Sequence, residues 1–500
     1  MVPMKIPALL LVVALWLSLS SGDVVGDNEA DLCSAEKSQF KLGPSSSTEE
    51  QLLKVPEIDI GPVIFPDSHT PEELERTVVS ISRACKNWGF FQALNHGIPQ
   101  DLIERVQAKG REMFALPREE KVVFKRTEDN ARGWFDDELT KQTLDWKQGF
   151  DIGHVPHPDL DPSHPANVVA EGFNQWPNNV KDFKETMDAF YAKSTEVSAQ
   201  LMWGIALGLD LALTTPDTIA EYGPSHQEGG FTEPGAKACA EAKATTEGAR
   251  NGLGKRMQDV LAEAFLEHTS YLRLNYYQPC PEPCNHLAVH RHTDSGALTV
   301  LLQEVGVTAL QVYSTQMGQW IPISPVEGAV TINVGDMLQV WTNDLYQAPE
   351  HRVISFTDRD RFSAPFFYNP SYSTDVSPLP QLLGGTKGSR PTRPEIATPV
   401  EDTEVVATEG DEAGGDGIDC DLELIQKGCE GMYNVNSSGV GATMGQFSDV
   451  GEGGGVDVPP GAHYRTLNWG KFRLRRFEGD FADHGTEVQI ADFRVGGAVA

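Results

Sequence analysis

Three side chains have the types and spacing of a metal site. His292 and Asp294 stand two positions apart ahead of an apolar run at 297–303. If that run extends back as one strand, alternate residues point to the same side, and both can grip one ion. His351 comes 57 residues after Asp294 and heads a second run, 351–356. Two imidazoles and one carboxylate drawn from two separated strands occupy one face of an octahedron. Three positions stay open, as non-haem Fe(II) oxygen chemistry requires. A tetrahedral zinc ion would leave one position open and suits hydrolysis better.

Arg361 and Ser363 follow ten residues after His351, again two apart. A guanidinium inside a barrel needs an anion, and its planar fork suits a dicarboxylate. The competing reading pairs Arg361 with an internal Asp or Glu and makes His351 an ordinary core histidine. A lone His-x-Asp is common by chance; the ordered set carries the weight. His290 would share the face of His292 and is the main decoy. His286 and His96 are further decoys, His96 as a turn residue. Arg352 points the other way along its strand and reads as structural, and Arg273 is a weak substrate contact. Cys280 and Cys284 are spaced like half a zinc site, but no second Cys/His pair completes four ligands.

The elements that must position these residues are legible as patterns. From 271 to 369 short β-type runs recur at 271–277, 297–303, 308–313, 319–323, 329–333, 337–341, 352–356 and 363–368, separated by Gly, Pro, Asn or Asp. Close-set strands of this kind make a sandwich or barrel. Upstream, 55–60 alternates like a strand and 90–94 is another. A helix starts at Pro71 after Thr70, with Glu72, Glu73 and Glu75 in its first turns, and ends before Gly89. A second spans 102–115. From 178 to 209 Phe183, Met187, Phe190, Val197, Leu201 and Ile205 recur with helical period. Residues 213–262 read as an inserted loop with one weak helix, and 384–462 as an acidic, disordered insertion.

With these residues in place the chain resembles the Fe(II)/2-oxoglutarate-dependent dioxygenase superfamily, in the branch of isopenicillin N synthase and the plant gibberellin and flavonoid oxidases. The resemblance rests on WGFFQALNHGIP (88–99), LRLNYYQPC (272–280), HTDSGALTVLLQ (292–303), EHRV (350–353) with RFS (361–363), and WGKFRLRRFEGDFAD (469–483). It implies a mainly β fold with packing helices: a double-stranded β-helix, or jelly roll, core with α-helical N-terminal cover. It implies an N-terminal domain at 51–210, an oxygenase domain at 268–383 and a C-terminal helix and tail at 463–500. By the same resemblance His292, Asp294 and His351 bind Fe(II), and Arg361 and Ser363 hold the far carboxylate of 2-oxoglutarate. Asn275 and Tyr277 help bind that cosubstrate. O2 is the oxidant, 2-oxoglutarate leaves as succinate and CO2, and a small organic substrate is hydroxylated or desaturated. An oxidase using the same triad without 2-oxoglutarate, and a metal-silent scaffold, are the alternatives.

Composition bounds the rest. The 500 residues are 40% hydrophobic and 22% charged, enough for a packed core, which excludes disulfide miniproteins, collagen-like chains and wholly disordered chains. The net charge of −32 leaves no basic footprint for nucleic acid. Eleven carboxylates and no Lys or Arg fall between 394 and 426. Residues 1–22 have the pattern of a signal peptide, followed by a polar leader at 23–50. The leader implies the secretory pathway, ER lumen or exterior; an organelle presequence or a cytoplasmic location is the alternative. No later stretch reads as a membrane span. Cys420 and Cys429 could pair, and Asn436 sits in a sequon, only in a secretory setting. Protein partners are unknown from the sequence; in the scaffold alternative the acidic insertion would recruit cationic ones.

Overall fold

A computed structural model of the chain describes residues 54–127, 130–140, 143–153, 172–214, 257–283, 286–383, 459–478 and 489–495. The leader 1–50, residues 215–256 and 384–458, and Cys420, Cys429 and Asn436 lie outside the described residues.

In chain order the strands are β1 (Glu57–Asp59), β2 (Phe90–Leu94), β3 (Gly133–Phe135), β4 (Leu139–Thr140), β5 (Thr143–Leu144), β6 (Gln148–Gly153), β7 (Tyr271–Tyr277), β8 (Leu287–His292), β9 (Leu298–Gln303), β10 (Leu310–Ser314), β11 (Gln319–Pro322), β12 (Ala329–Val334), β13 (His351–Ile354), β14 (Arg361–Tyr368), β15 (Asp375–Val376) and β16 (Leu467–Asn468). The helices used below are α1 (Pro71–Asn87), α2 (Gln100–Phe114), α3 (Phe183–Thr214), α4 (Met257–Ala264), α5 (Asp336–Trp341) and α6 (Trp469–Glu478).

Two sheets form the core. The larger has the order β1-β2-β12-β9-β14-β7-β6-β3, antiparallel except for β1 with β2. The smaller has the order β11-β10-β13-β8. Period-2 alternation gives the larger sheet two unlike faces. Its outer face carries Leu272, Leu274, Val300, Leu302, Ile332, Phe362, Ala364 and Phe366, buried in one cluster with Val78 and Ile81 of α1, Val106 and Met113 of α2, and Met187, Phe190 and Leu201 of α3. Its inner face meets the smaller sheet through Phe90, Tyr277 and Leu301, packed with Val289, Leu310, Val312 and Val353. This is the expected jelly roll with helical cover. The N-terminal segment also supplies strands β1, β2, β3 and β6 to the same sheet.

Local chemistry sets the element ends. Thr70 and Glu73 form a reciprocal capping box at the start of α1, with Pro71 at the first position. After α1, Gly89 has φ +64, and a Cβ there would lie 2.5 Å from the Gln347 carbonyl, so only glycine fits. In α2, Gly110 admits the Phe362 ring of β14, which a Cβ would meet at 2.3 Å.

Three expectations need correction. The run 337–341 is not a strand but lies in α5; a short apolar run does not distinguish the two by periodicity. Asp294 does not share a strand with His292: β8 ends at His292, and β9 begins only at Leu298. Strands β3, β6 and β8 have no counterpart among the expected runs. In β6 the sequence QGFDIG breaks the apolar pattern because Gly149 makes room for the Phe135 ring and Gly153 for the Arg132 guanidinium. Of the expected insertion 213–262 only the ends are among the described residues: α3 runs to Thr214 and a helix, α4, begins at Met257, with Met257 and Leu261 buried.

Candidate metal and cosubstrate site

His292 and His351 are cross-strand partners in the β8–β13 ladder, their ring centroids 4.3 Å apart. The loop after β8 then brings Asp294 beneath both rings. That loop is pinned by backbone: the amides of Asp336 and Met337, opening α5, donate to the carbonyls of Asp294 and Gly296 at 2.8 and 2.9 Å. Gly335 permits the approach, because a Cβ there would lie 2.3 Å from the Gly296 carbonyl.

Asp294 Oδ1 lies 3.6 Å from His292 Nε2 and 3.5 Å from His351 Nε2. The three ligand atoms all fall within 4.8 Å of one another, the one such group of His, Cys, Asp or Glu among the described residues. The remaining polar atoms of the triad are occupied. His292 Nδ1 bonds the His290 carbonyl at 2.8 Å, and His351 Nδ1 bonds the Pro349 carbonyl at 3.1 Å. A carbonyl only accepts, so each Nδ1 carries the proton and each Nε2 lone pair faces the common point. Asp294 Oδ2 accepts from Asn333 Nδ2 at 2.8 Å and from Thr299 Oγ1, which leaves Oδ1 for an ion. Gly89 contributes from a distance, since its tight contact seats the 347–349 segment that orients His351.

Burial pushes the His292 imidazole below its usual pKa, and the neighbouring His351 adds to that shift. Burial opposes ionisation of Asp294, but His351 and His292 hold its carboxyl well below the usual carboxylate range. Burial also works against a charged His351, yet Asp294 prevails and raises it. An anionic carboxylate and a neutral His292 are the forms that bind a metal.

The second group lies on the inner face of the larger sheet. Arg361 opposes Tyr277 and Ser363 opposes Asn275 across β14 and β7, so the four expected cosubstrate residues form one block. Tyr277 Oη and Ser363 Oγ are 3.2 Å apart, and the Arg361 guanidinium carbon sits 4.9 Å from the Tyr277 ring centre. Arg361 is 2% exposed. Its Nη2 donates to Gln303 Oε1 at 2.9 Å, while Nε and Nη1 are buried without a hydrogen-bond partner among the described residues. Asn275 Oδ1 is likewise buried and unpartnered. Buried donors are rarely left open, so two donors of this guanidinium, Nε and Nη1, await acceptors of the kind a carboxylate supplies. The internal ion pair considered for Arg361 is not found among the described residues; its hydrogen bond there goes to the Gln303 amide.

The decoys resolve into other roles. His290 Nδ1 bonds Asp145 at 3.0 Å, and His96 Nδ1 accepts from the Ile98 amide within a turn. Arg352 is buried, bonds Gln311 and lies 4.2 Å from the Trp320 ring centre. Arg273 shares the inner face with Asn275 but takes Asp151 with two donors and Glu138 with a third. Cys280 is buried; Cys284 lies outside the described residues. Thr299, Gln303 and Asn333 escaped the sequence reading. They are single polar positions inside apolar strands, a pattern that marks something buried and bonded without naming its partner.

The comparisons with known proteins agree with this geometry. Residues 55–179 match the model described as non-haem dioxygenase in morphine synthesis N-terminal, and residues 268–370 match the 2OG-Fe(II) oxygenase superfamily. Feruloyl CoA ortho-hydroxylase 1 of Arabidopsis thaliana is 30% identical over 332 residues, 64% of this chain and 73% of that one. Oxoglutarate-dependent flavonoid 7-O-demethylase 1 of Ocimum basilicum is 29% identical over 348 residues, 68% of this chain and 75% of that one. Among solved structures, the 2-oxoglutarate binary complex of the dioxygenase for auxin oxidation 1 from Arabidopsis thaliana is 21% identical, with a TM-score of 0.44, over 66% of this chain and 97% of that one. The chain belongs to the 2OG-Fe(II) oxygenase superfamily. It is an oxidoreductase that uses iron and 2-oxoglutarate. Among the described residues, no helix is long and apolar enough to cross a membrane.

Proposed function

We propose that this oxygenase oxidises a small organic molecule at an iron held by His292, Asp294 and His351, with 2-oxoglutarate seated by Arg361 and Ser363. The observation that carries the reading is the presence of a triad whose three ligand atoms face one point together with a buried guanidinium two of whose nitrogens have no acceptor among the described residues. Iron, when bound, supplies O2 activation coupled to conversion of 2-oxoglutarate to succinate and CO2. The protein orients. Two backbone carbonyls fix the imidazole tautomers, Asn333 and Thr299 hold one carboxylate oxygen, and Gln303 aims the guanidinium. Asn275 and Tyr277 complete the cosubstrate wall, and the burial of all four residues excludes water. Relatives named for ring hydroxylation and O-demethylation support oxidation at a C–H bond of a small substrate.

Anaerobic addition of Fe(II) and 2-oxoglutarate to the purified protein should give the weak visible charge-transfer band of the iron–cosubstrate complex. His292→Ala should abolish the band and His290→Ala should keep it. A folded, iron-loaded wild-type protein without the band overturns the reading. Under air, one succinate per oxidised substrate separates it from an oxidase that leaves 2-oxoglutarate intact.

A further inference from the structure

The β8–β13 ladder is irregular just before the first histidine of the triad. His292 pairs with His351 and Val289 with Val353, so His290 and Arg291 together face the single residue Arg352. This is a β-bulge, and a bulge takes residues out of the ladder's regular bonding while re-aiming the strand. Here the aim matters, because the His290 carbonyl is the group that holds His292 Nδ1 at 2.8 Å.

The amide of His290 donates instead to Asp145 Oδ1 at 3.1 Å, and the His290 ring nitrogen meets the same oxygen at 3.0 Å. Asp145 arrives from the short segment after β5, and its side chain is fully buried. It is itself clamped. Lys147 Nζ and Thr140 Oγ1 donate to its other oxygen at 2.7 and 2.8 Å, and Trp146 N bonds the Leu287 carbonyl of β8 at 3.0 Å. Lys147 in turn reaches Glu138, which Arg273 also holds. A charged side chain is rarely buried unless paired, and this one is paired on one oxygen and spends the other on a bulged backbone.

We infer that Asp145 is a positioning residue for the metal centre: by gripping the bulge at His290 it fixes the carbonyl that sets the tautomer and aim of His292. The inference rests on His292 being an iron ligand. Loss of such an outer hydrogen bond weakens metal binding by about 10- to 100-fold in comparable sites.

The test measures Fe(II) affinity and the position of the iron–2-oxoglutarate band anaerobically, with melting temperature recorded alongside. Asp145→Ala should bind Fe(II) at least about tenfold more weakly and shift the band. The double variant Asp145→Leu with Lys147→Met removes the same acceptor without stranding a buried ammonium, and should show the same loss. His290→Ala keeps the backbone groups and should stay within about threefold of wild type, a limit well below the outer-hydrogen-bond loss. If either Asp145 variant is folded, with wild-type affinity and an unshifted band, Asp145 is merely structural and the inference is overturned. If the wild-type protein gives no band, the iron reading itself fails, a result distinct from the first.

Discussion

The two faces of the larger sheet are made from the same strands and do opposite work. Along β14, Phe362, Ala364 and Phe366 point outward into the helices, while Arg361 and Ser363 point inward; along β7, Leu272 and Leu274 point out, Asn275 and Tyr277 in. Both faces are buried. The outer face is apolar and close-packed, with Phe366 edge-on to Tyr191 of α3 at 5.1 Å and the Phe362 ring filling the space over Gly110. The inner face keeps donors and an acceptor without hydrogen-bond partners among the described residues. Burying unpaired polar groups costs stability, so a sheet that carries them on one side must be held by the other. Stability and binding are thus separated by alternation along one strand, and single substitutions can address either.

The largest effect is expected on the outer face. Phe366→Ala should cost about 3–5 kcal/mol of unfolding free energy by loss of transfer energy and a cavity. In the folded fraction its 2-oxoglutarate affinity should match wild type; a large affinity loss would break the separation. Arg361→Leu is the converse. It should cost about 2–5 kcal/mol of 2-oxoglutarate binding, read by anaerobic titration, with no drop in melting temperature because the free protein loses a buried cation with two donors unpaired among the described residues. A collapse of melting temperature would show that Arg361 serves the fold. Asn333→Ala, on the inner face beside Asp294, should weaken Fe(II) binding by about 10- to 100-fold, because Oδ2 loses its amide donor. Arg111→Ala, on the helix side, is the mildest. Its pairs with Glu304 and Asp360 are partly exposed, and solvent screening limits their loss to about 1 kcal/mol or less in a denaturant melt.

The same contrast explains how much is legible in the sequence. The outer face announces itself by period: Phe183, Met187, Phe190, Val197, Leu201 and Ile205 are all buried where helical spacing puts them. The seven site residues are legible because their order and spacing match a known family. The three triad residues meet in one group and the four others in a second, but the step joining two of the triad differs from the expected one. Spacing alone makes His292 and Asp294 alternate residues of one strand, whereas a strand ends at the first and a loop carries the second. That loop is placed by bonds to the start of α5, a segment that reads as strand because six buried residues leave no polar face to reveal a helical period. The bulge at His290 is invisible for a related reason. Its partner Asp145 is 145 residues away, and no local pattern records such a pairing.

The central claim is that one metal point and one buried guanidinium together hold iron and 2-oxoglutarate. Its most direct test is an anaerobic crystal structure with Fe(II) and 2-oxoglutarate bound. The expected density has iron bonded to His292 Nε2, Asp294 Oδ1 and His351 Nε2, and the distal carboxylate of 2-oxoglutarate on the Arg361 guanidinium beside Ser363. Iron bound at His290, or a cosubstrate carboxylate that leaves Arg361 untouched, would contradict it.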